Sequence, residues 1–133
     1  VEDAAAAALL AASASLATVE AGTAGRVASL FAQAADRRND ASQPFFCGGL
    51  VLPGLPRGRP ELIAAAKDVA RSHNASVGMA VGPVRLTGVR HAVDVVVVHN
   101  DVPIVTEHVL GGGGIAMSRA AKSAIDQIRR ILL

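Results

Sequence analysis

Between Leu16 and Phe31 the hydrophobic period changes from that of a strand to that of a helix, across a turn made only of small residues. The apolar run Leu16, Ala17, Val19 leads into Ala21-Gly22-Thr23-Ala24-Gly25, after which Val27, Leu30, Phe31 and Ala34 recur at helical spacing. A strand that turns directly into a helix is the unit from which layered α/β domains are built, so this stretch restricts the chain to that class. A small-residue turn at a helix start exposes backbone N–H groups, with the positive end of the helix dipole behind them. The expectation is a seat for an anionic or polar ligand. The structural alternative is that Thr23 merely caps the helix while Gly22 and Gly25 shape the turn.

The remaining segments extend the same alternation. An Ala-rich helix is expected over 3–13, with Leu9 and Leu10 as its large apolar anchors, followed by a strand over 15–20 and a helix over 23–38 that ends in the polar run 36–42. Pro44 and Pro53 bound the apolar run Phe45-Phe46-Cys47-Gly48-Gly49-Leu50-Val51-Leu52, a buried strand whose Gly48-Gly49 pair suits the close approach of a backbone or a ligand. Pro53 to Pro60 contains three prolines and two glycines and reads as a rigid loop, on which Arg57 and Arg59 either face an anion or are simply solvated. Pro60 opens a helix that runs to His73 with Leu62, Ile63, Ala66, Val69 and Ala70 as its stripe.

The segment 75–81 reads as a strand that Gly82-Pro83 stops. Val93 to Val98 is the strongest strand signal, and Asn100-Asp101 suits a hairpin into a strand over 102–110, where Pro103 points to an edge position or a broken ladder. Four glycines, 111–114, form a linker, and 115–133 is a closing helix with Ala121, Ile125, Ile128 and Leu132 on one face. Together these predict a single domain over 1–133: a three-layer α/β/α sandwich with a mixed, mostly parallel sheet of about five strands and four helices.

Composition excludes several functions. The chain is 133 residues long, with 51% hydrophobic and 2% aromatic residues and neither Trp nor Tyr, so stacking on bases or sugar rings is nearly excluded. The formal charge is only +2, and the basic residues lie in scattered pairs such as Arg37-Arg38 and Arg129-Arg130, which argues against nucleic-acid binding. One cysteine, Cys47, permits no intrachain disulfide, and with four dispersed histidines it gives no metal spacing. His99 and His108 face each other in some hairpin registers but lack a third ligand. The N-terminal run AAAAALLAASASLA mimics a signal peptide, yet Glu2 and Asp3 stand where a signal carries cations, and the run is too short and weakly apolar to span a bilayer. A cytoplasmic protein with no membrane partner is expected, and the start at Val1 leaves room for residues upstream. No Walker loop, nucleophile elbow or dinucleotide fingerprint is present, and no cofactor or metal is implied.

Four segments, in order, resemble the CinA carboxy-terminal domain family, whose active members are nicotinamide mononucleotide deamidases. Leu16 to Gly25 is similar to the family's L-A-T-A-E-S-C-T-G-G, Phe46 to Val51 to its F-x-G-G-V-V, and Ala75 to Val81 to its A-D-x-G-L-A-V; the closing helix after a glycine-containing turn also fits. The departures fall on the chemistry. Ala21 stands where the family motif has its catalytic serine, and a methyl group can neither attack an amide nor be activated by a base. The family's Y-S-N-x-x-K becomes Pro53 to Gly58, the T-G-I-A-G-P turn is reduced to Gly82-Pro83, and the Gly-Asp-Arg before the last helix becomes Gly112-Gly113-Gly114.

The resemblance with these losses implies a CinA-like domain without the usual amidohydrolase site, acting as a binding, regulatory or structural module and self-associating as a homo-oligomer. The candidate ligand-binding residues are Glu20, Ala21, Gly22, Thr23, Gly25, Gly49 and Arg57, for a small nucleotide-like or phosphorylated ligand. The alternative is an active nicotinamide-nucleotide amidohydrolase, or another small-molecule hydrolase, that works with substitute residues: Thr23, Glu20 and Arg57 or Arg59.

Overall fold

The computed structural model describes residues 1–38, 44–52, 58–110 and 116–132. The polar exit at 39–43, most of the proline-rich loop including Arg57, and the four-glycine linker lie outside the described residues. The elements run α1 (Glu2–Ala11), β1 (Leu16–Glu20), α2 (Arg26–Arg38), β2 (Phe46–Val51), α3 (Arg59–Ser72), β3 (Val77–Val81), β4 (Arg85–Thr87), β5 (Arg90–His99), β6 (Val102–Leu110) and α4 (Ala116–Leu132). The sheet has six strands rather than about five, because the three-residue β4 pairs with the first residues of β5. β5 itself begins at Arg90, three residues before the valine run.

Strand β1 lies between β2 and β3, both parallel to it, while β5 runs antiparallel to β3, β4 and β6. Five of the six strands therefore share one direction and β5 alone opposes them. The sheet is mixed and mostly parallel in direction, although only two of its five pairings are parallel. His108 pairs opposite Val93 and His99 opposite Val102, so the two histidines do not meet.

The layers follow from the period-two alternation of the strands. Leu16 on β1, Val77, Met79 and Val81 on β3, and Val93, Val95 and Val97 on β5 point to one face, where α1, α2 and α4 bury Leu9, Phe31, Ile125 and Ile128 against them. Ala17, Val19, Ala80, Val96 and Val98 point to the opposite face, which α3 covers with Leu62, Ala66 and Val69. Each fully buried Leu or Ile contributes about 1.5–3 kcal/mol by leaving water. With only three Phe and neither Trp nor Tyr to fill the space between layers, the layers approach closely through small residues instead. A Cβ on Gly78 would lie 2.0 Å from the Ala66 carbonyl oxygen, so only glycine allows α3 to sit this near β3.

Candidate functional site

The strand order β2-β1-β3 makes the chain leave β1 to one side and return on the other, with α2 on one face and α3 on the opposite one. A crevice outside the carboxyl ends of β1 and β3 follows, the usual ligand position in open α/β sheets. Here its floor is closed. The Ala21 N–H donates to the Val81 carbonyl at 3.0 Å and the Gly22 N–H to the Gly82 carbonyl at 3.1 Å, extending the backbone ladder beyond both strands. Gly22 permits this approach: a Cβ there would stand 2.5 Å from the Gly82 oxygen and 2.8 Å from the Val84 nitrogen.

On the α2 side of this floor, Glu20 is fully buried and turns its carboxylate back onto the start of α2. Its Oε1 accepts from Thr23 Oγ1 at 2.5 Å, from Gly25 N–H at 3.0 Å and from Val27 N–H at 3.1 Å, and its Oε2 accepts from Ala28 N–H at 2.9 Å. The donors that invited an external anion are thus engaged by the chain's own carboxylate. The charge is stabilised by those N–H groups and by the helix dipole, without a cation reaching it among the described residues. Thr23 is likewise fully buried. The structure therefore brings Glu20, Thr23 and Gly25 together as a helix cap, with Ala24 held at a φ of 51° to let the turn close.

The other candidates sit elsewhere. Ala21 faces α3, packed against the cluster of Val19, Leu62 and Ala80. Gly49 lies between Thr18 and the α2 helix, where a Cβ would stand 2.6 Å from Thr18 Oγ1 and 2.9 Å from the Ala28 methyl, so its lack of a side chain serves the packing of α2 on β2. Arg57 lies outside the described residues.

A cleft of about 290 Å³ opens on the α3 side, next to this floor, lined by Leu62, Gly82, Pro83, Val84, Arg85 and Asp94. Its centre is Asp94, 7% exposed in the middle of the valine run of β5. The Arg59 guanidinium, at the start of α3, approaches Asp94 Oδ1 at 3.6 Å, and Arg85 of β4 approaches it at 3.3 Å while also pairing with Glu107 of β6. Asp94 and Glu107 are direct cross-strand neighbours, and Arg85 holds the two carboxylates apart in charge. Both arginines keep part of their surface in water, as does Glu107, so the cleft presents cationic forks around the one sequestered carboxylate, that of Asp94.

Sequence reasoning weighed Arg59 but missed Asp94, Arg85 and Glu107. The signal for Asp94 was present: a lone carboxylate within a strand of valines is tolerated only where a cation meets it. Among the described residues no group of three or more His, Cys, Asp or Glu side chains is arranged to hold a metal ion, and no helix is long and apolar enough to cross a membrane.

No protein-family model and no curated protein matches the chain in sequence. Solved structures match it in shape. A competence-damaged protein (CinA) superfamily protein from Enterobacter cloacae aligns with a TM-score of 0.77 at 12% identity, covering 99% of this chain and 90% of that one. Competence damage-inducible protein A from Klebsiella pneumoniae aligns with a TM-score of 0.75 at 13% identity, covering 98% and 94%. A CinA superfamily protein from Escherichia coli gives 0.68 at 17% identity, covering 98% and 87%. At such identities the likeness concerns the fold, over nearly the whole of each chain.

Proposed function

We propose that this chain, which has the fold of the CinA superfamily, is a binding or regulatory module that takes a small anionic, nucleotide-like or phosphorylated ligand in the Arg59–Arg85–Asp94 cleft and lacks amidohydrolase chemistry. One observation carries this: the cleft beside the β1–β3 strand ends is lined by apolar groups and arginine–carboxylate pairs, with no hydroxyl or thiol among the described residues that line it. Acyl transfer by a protein nucleophile needs such a group next to a base. Ala21, at the position that resembles the family's serine, offers a methyl.

The alternative of a hydrolase using Thr23 and Glu20 is disfavoured by their burial and by the hydrogen bond they make to each other. An arginine fork suits a phosphate or carboxylate bidentately, and a ligand anion entering the cleft competes with Asp94 for Arg59 and with Glu107 for Arg85.

Two measurements test this function. Purified protein incubated with nicotinamide mononucleotide is expected to release ammonia no faster than a blank without enzyme; turnover well above the blank overturns the loss of chemistry. A thermal-shift screen against pyridine nucleotides and sugar phosphates is expected to yield at least one compound that raises the melting temperature, because a ligand selective for the folded state stabilises it. The Arg85→Ala variant is expected to lose that shift, and a full shift in the variant overturns the placement in this cleft.

A further inference from the structure

Strand β6 ends the sheet, and among the described residues it pairs with β5 alone. The turn before it consists of Asn100 and Asp101, with φ values of 54° and 61°, flanked by the pair His99 and Val102. Two positive-φ residues between paired strands form the tight hairpin turn whose flanking residues exchange both backbone hydrogen bonds. By alternation, Val102, Ile104, Thr106, His108 and Leu110 then bond to β5, while the backbone groups of Pro103, Val105, Glu107 and Val109 face outward from the sheet. Pro103 accordingly forfeits no bond to β5, which explains how a proline fits this strand, and the outward groups form a template for another strand.

Apart from Pro103, the devices that usually blunt such an edge are scarce. β6 carries no Lys or Arg, its one carboxylate, Glu107, is drawn toward Arg85, and Val102, Ile104 and Val109 are 57%, 37% and 54% exposed. The order of residues is also self-complementary about Thr106. With a two-fold axis there, Val102 meets Leu110, Pro103 meets Val109, Ile104 meets His108 and Val105 meets Glu107 of a second copy, so both apolar ends of the strand face apolar ends. Moving the axis to Glu107 sets two carboxylates against each other, and moving it to Val105 sets Val102 against His108 and Pro103 against Glu107.

We propose that β6 is a homodimer interface: two copies add their β6 strands antiparallel about a two-fold axis at Thr106, joining the two sheets into one. The outward residues supply about six backbone hydrogen bonds, since Pro103 lacks the N–H at each end of the ladder. A two-fold pairing of this kind is closed, using the same strand from each copy, and leaves no β6 edge open for further growth. It is independent of the ligand assigned to the Arg59–Arg85–Asp94 cleft.

Light scattering on size-exclusion fractions is expected to give the mass of a dimer at about 100 µM and of a monomer on sufficient dilution. Lysines at the edge, in the double variant Ile104→Lys/Val109→Lys, are expected to weaken the dimer by roughly a hundredfold while leaving the far-UV spectrum and the urea midpoint of the dilute protein unchanged. The register has its own test in a Cys47→Ser background. Thr106→Cys places two thiols across the axis at a pair with Cα atoms about 4.5 Å apart, within disulfide reach, so mild oxidation is expected to link the copies. Ile104→Cys, which faces His108, is expected to stay unlinked. A monomer at the highest concentration, a dimer that survives the two lysines, or linkage through Ile104→Cys as complete as through Thr106→Cys each overturns the proposal.

Discussion

The Glu20 carboxylate offers the sharpest test of how this end of the molecule is held together. Its four bonds divide unevenly: Oε1 takes Thr23, Gly25 and Val27, and Oε2 takes Ala28 alone. In Glu20→Gln the side-chain oxygen can keep the three donors, but the new amide group then faces the Ala28 N–H, donor against donor, at a site closed to water. Losing a charge-assisted bond and leaving the part-buried Ala28 N–H without an acceptor costs about 2 kcal/mol, and removing the negative charge from the helix start about 1 kcal/mol more. The expected total of about 3 kcal/mol is a large share of the 5–15 kcal/mol that typically stabilises a domain. For a chain of this length it corresponds to a fall of roughly 10 °C in Tm.

Urea unfolding followed by circular dichroism measures it directly, with the slope of the transition expected to stay the same. Thr23→Val, which removes one of the four bonds at nearly constant shape, is expected to cost about 1 kcal/mol. Glu20→Gln within about 0.5 kcal/mol of the parent protein would refute the capping account and return Glu20 to the list of groups free to meet a ligand.

Two further outcomes follow from local geometry and charge. Ala24→Gly is expected to stabilise the protein by about 1 kcal/mol, read as a rise of roughly 4 °C in Tm, because Ala24 holds a left-handed φ that glycine adopts without steric conflict. His108 is shifted below the ordinary histidine value of 6.5, first by burial beneath α4 and then by the Arg130 guanidinium, with Asp126 opposing. As pH falls the unfolded chain therefore binds this proton before the folded one does. Stability is expected to be complete above about pH 6.5 and to decline as pH drops below it, a loss that His108→Leu reduces in urea melts at pH 7.5 and 5.

The elements that a sequence announces are those in which periodicity runs long enough to register. The valine run of β5, the hairpin at Asn100-Asp101 and the apolar faces of α2 and α4 all met that condition. β4 did not: Arg85, Leu86 and Thr87 are too few to show alternation, and the pairing with β5 that makes them a strand is a tertiary event. The candidate site divides along the same line. Glu20, Thr23 and Gly25 were legible as a group because they sit within six residues, but whether the carboxylate faces outward or folds back onto amides five to eight residues later depends on how α2 packs on the sheet.

For the cleft, Asp94 broke the pattern of its own strand visibly enough. Its partners did not, since Arg59 arrives from the start of α3 and Arg85 from a strand with no signal of its own. Gly49 was singled out for a close approach, which is what it provides, yet the neighbour is Thr18 and a helix methyl.

The contact of Gly22 with the Gly82–Val84 backbone also bears on how this molecule can change over generations. Any side chain appearing at position 22 strikes main-chain atoms, which, unlike the tip of a long side chain, cannot swing aside. Diversification at the strand ends must therefore begin with a change in the short Gly82–Val84 link. Until that link lengthens or shifts, variation is channelled to Arg59, Arg85 and Glu107, where a new side chain alters the cleft without lifting its floor.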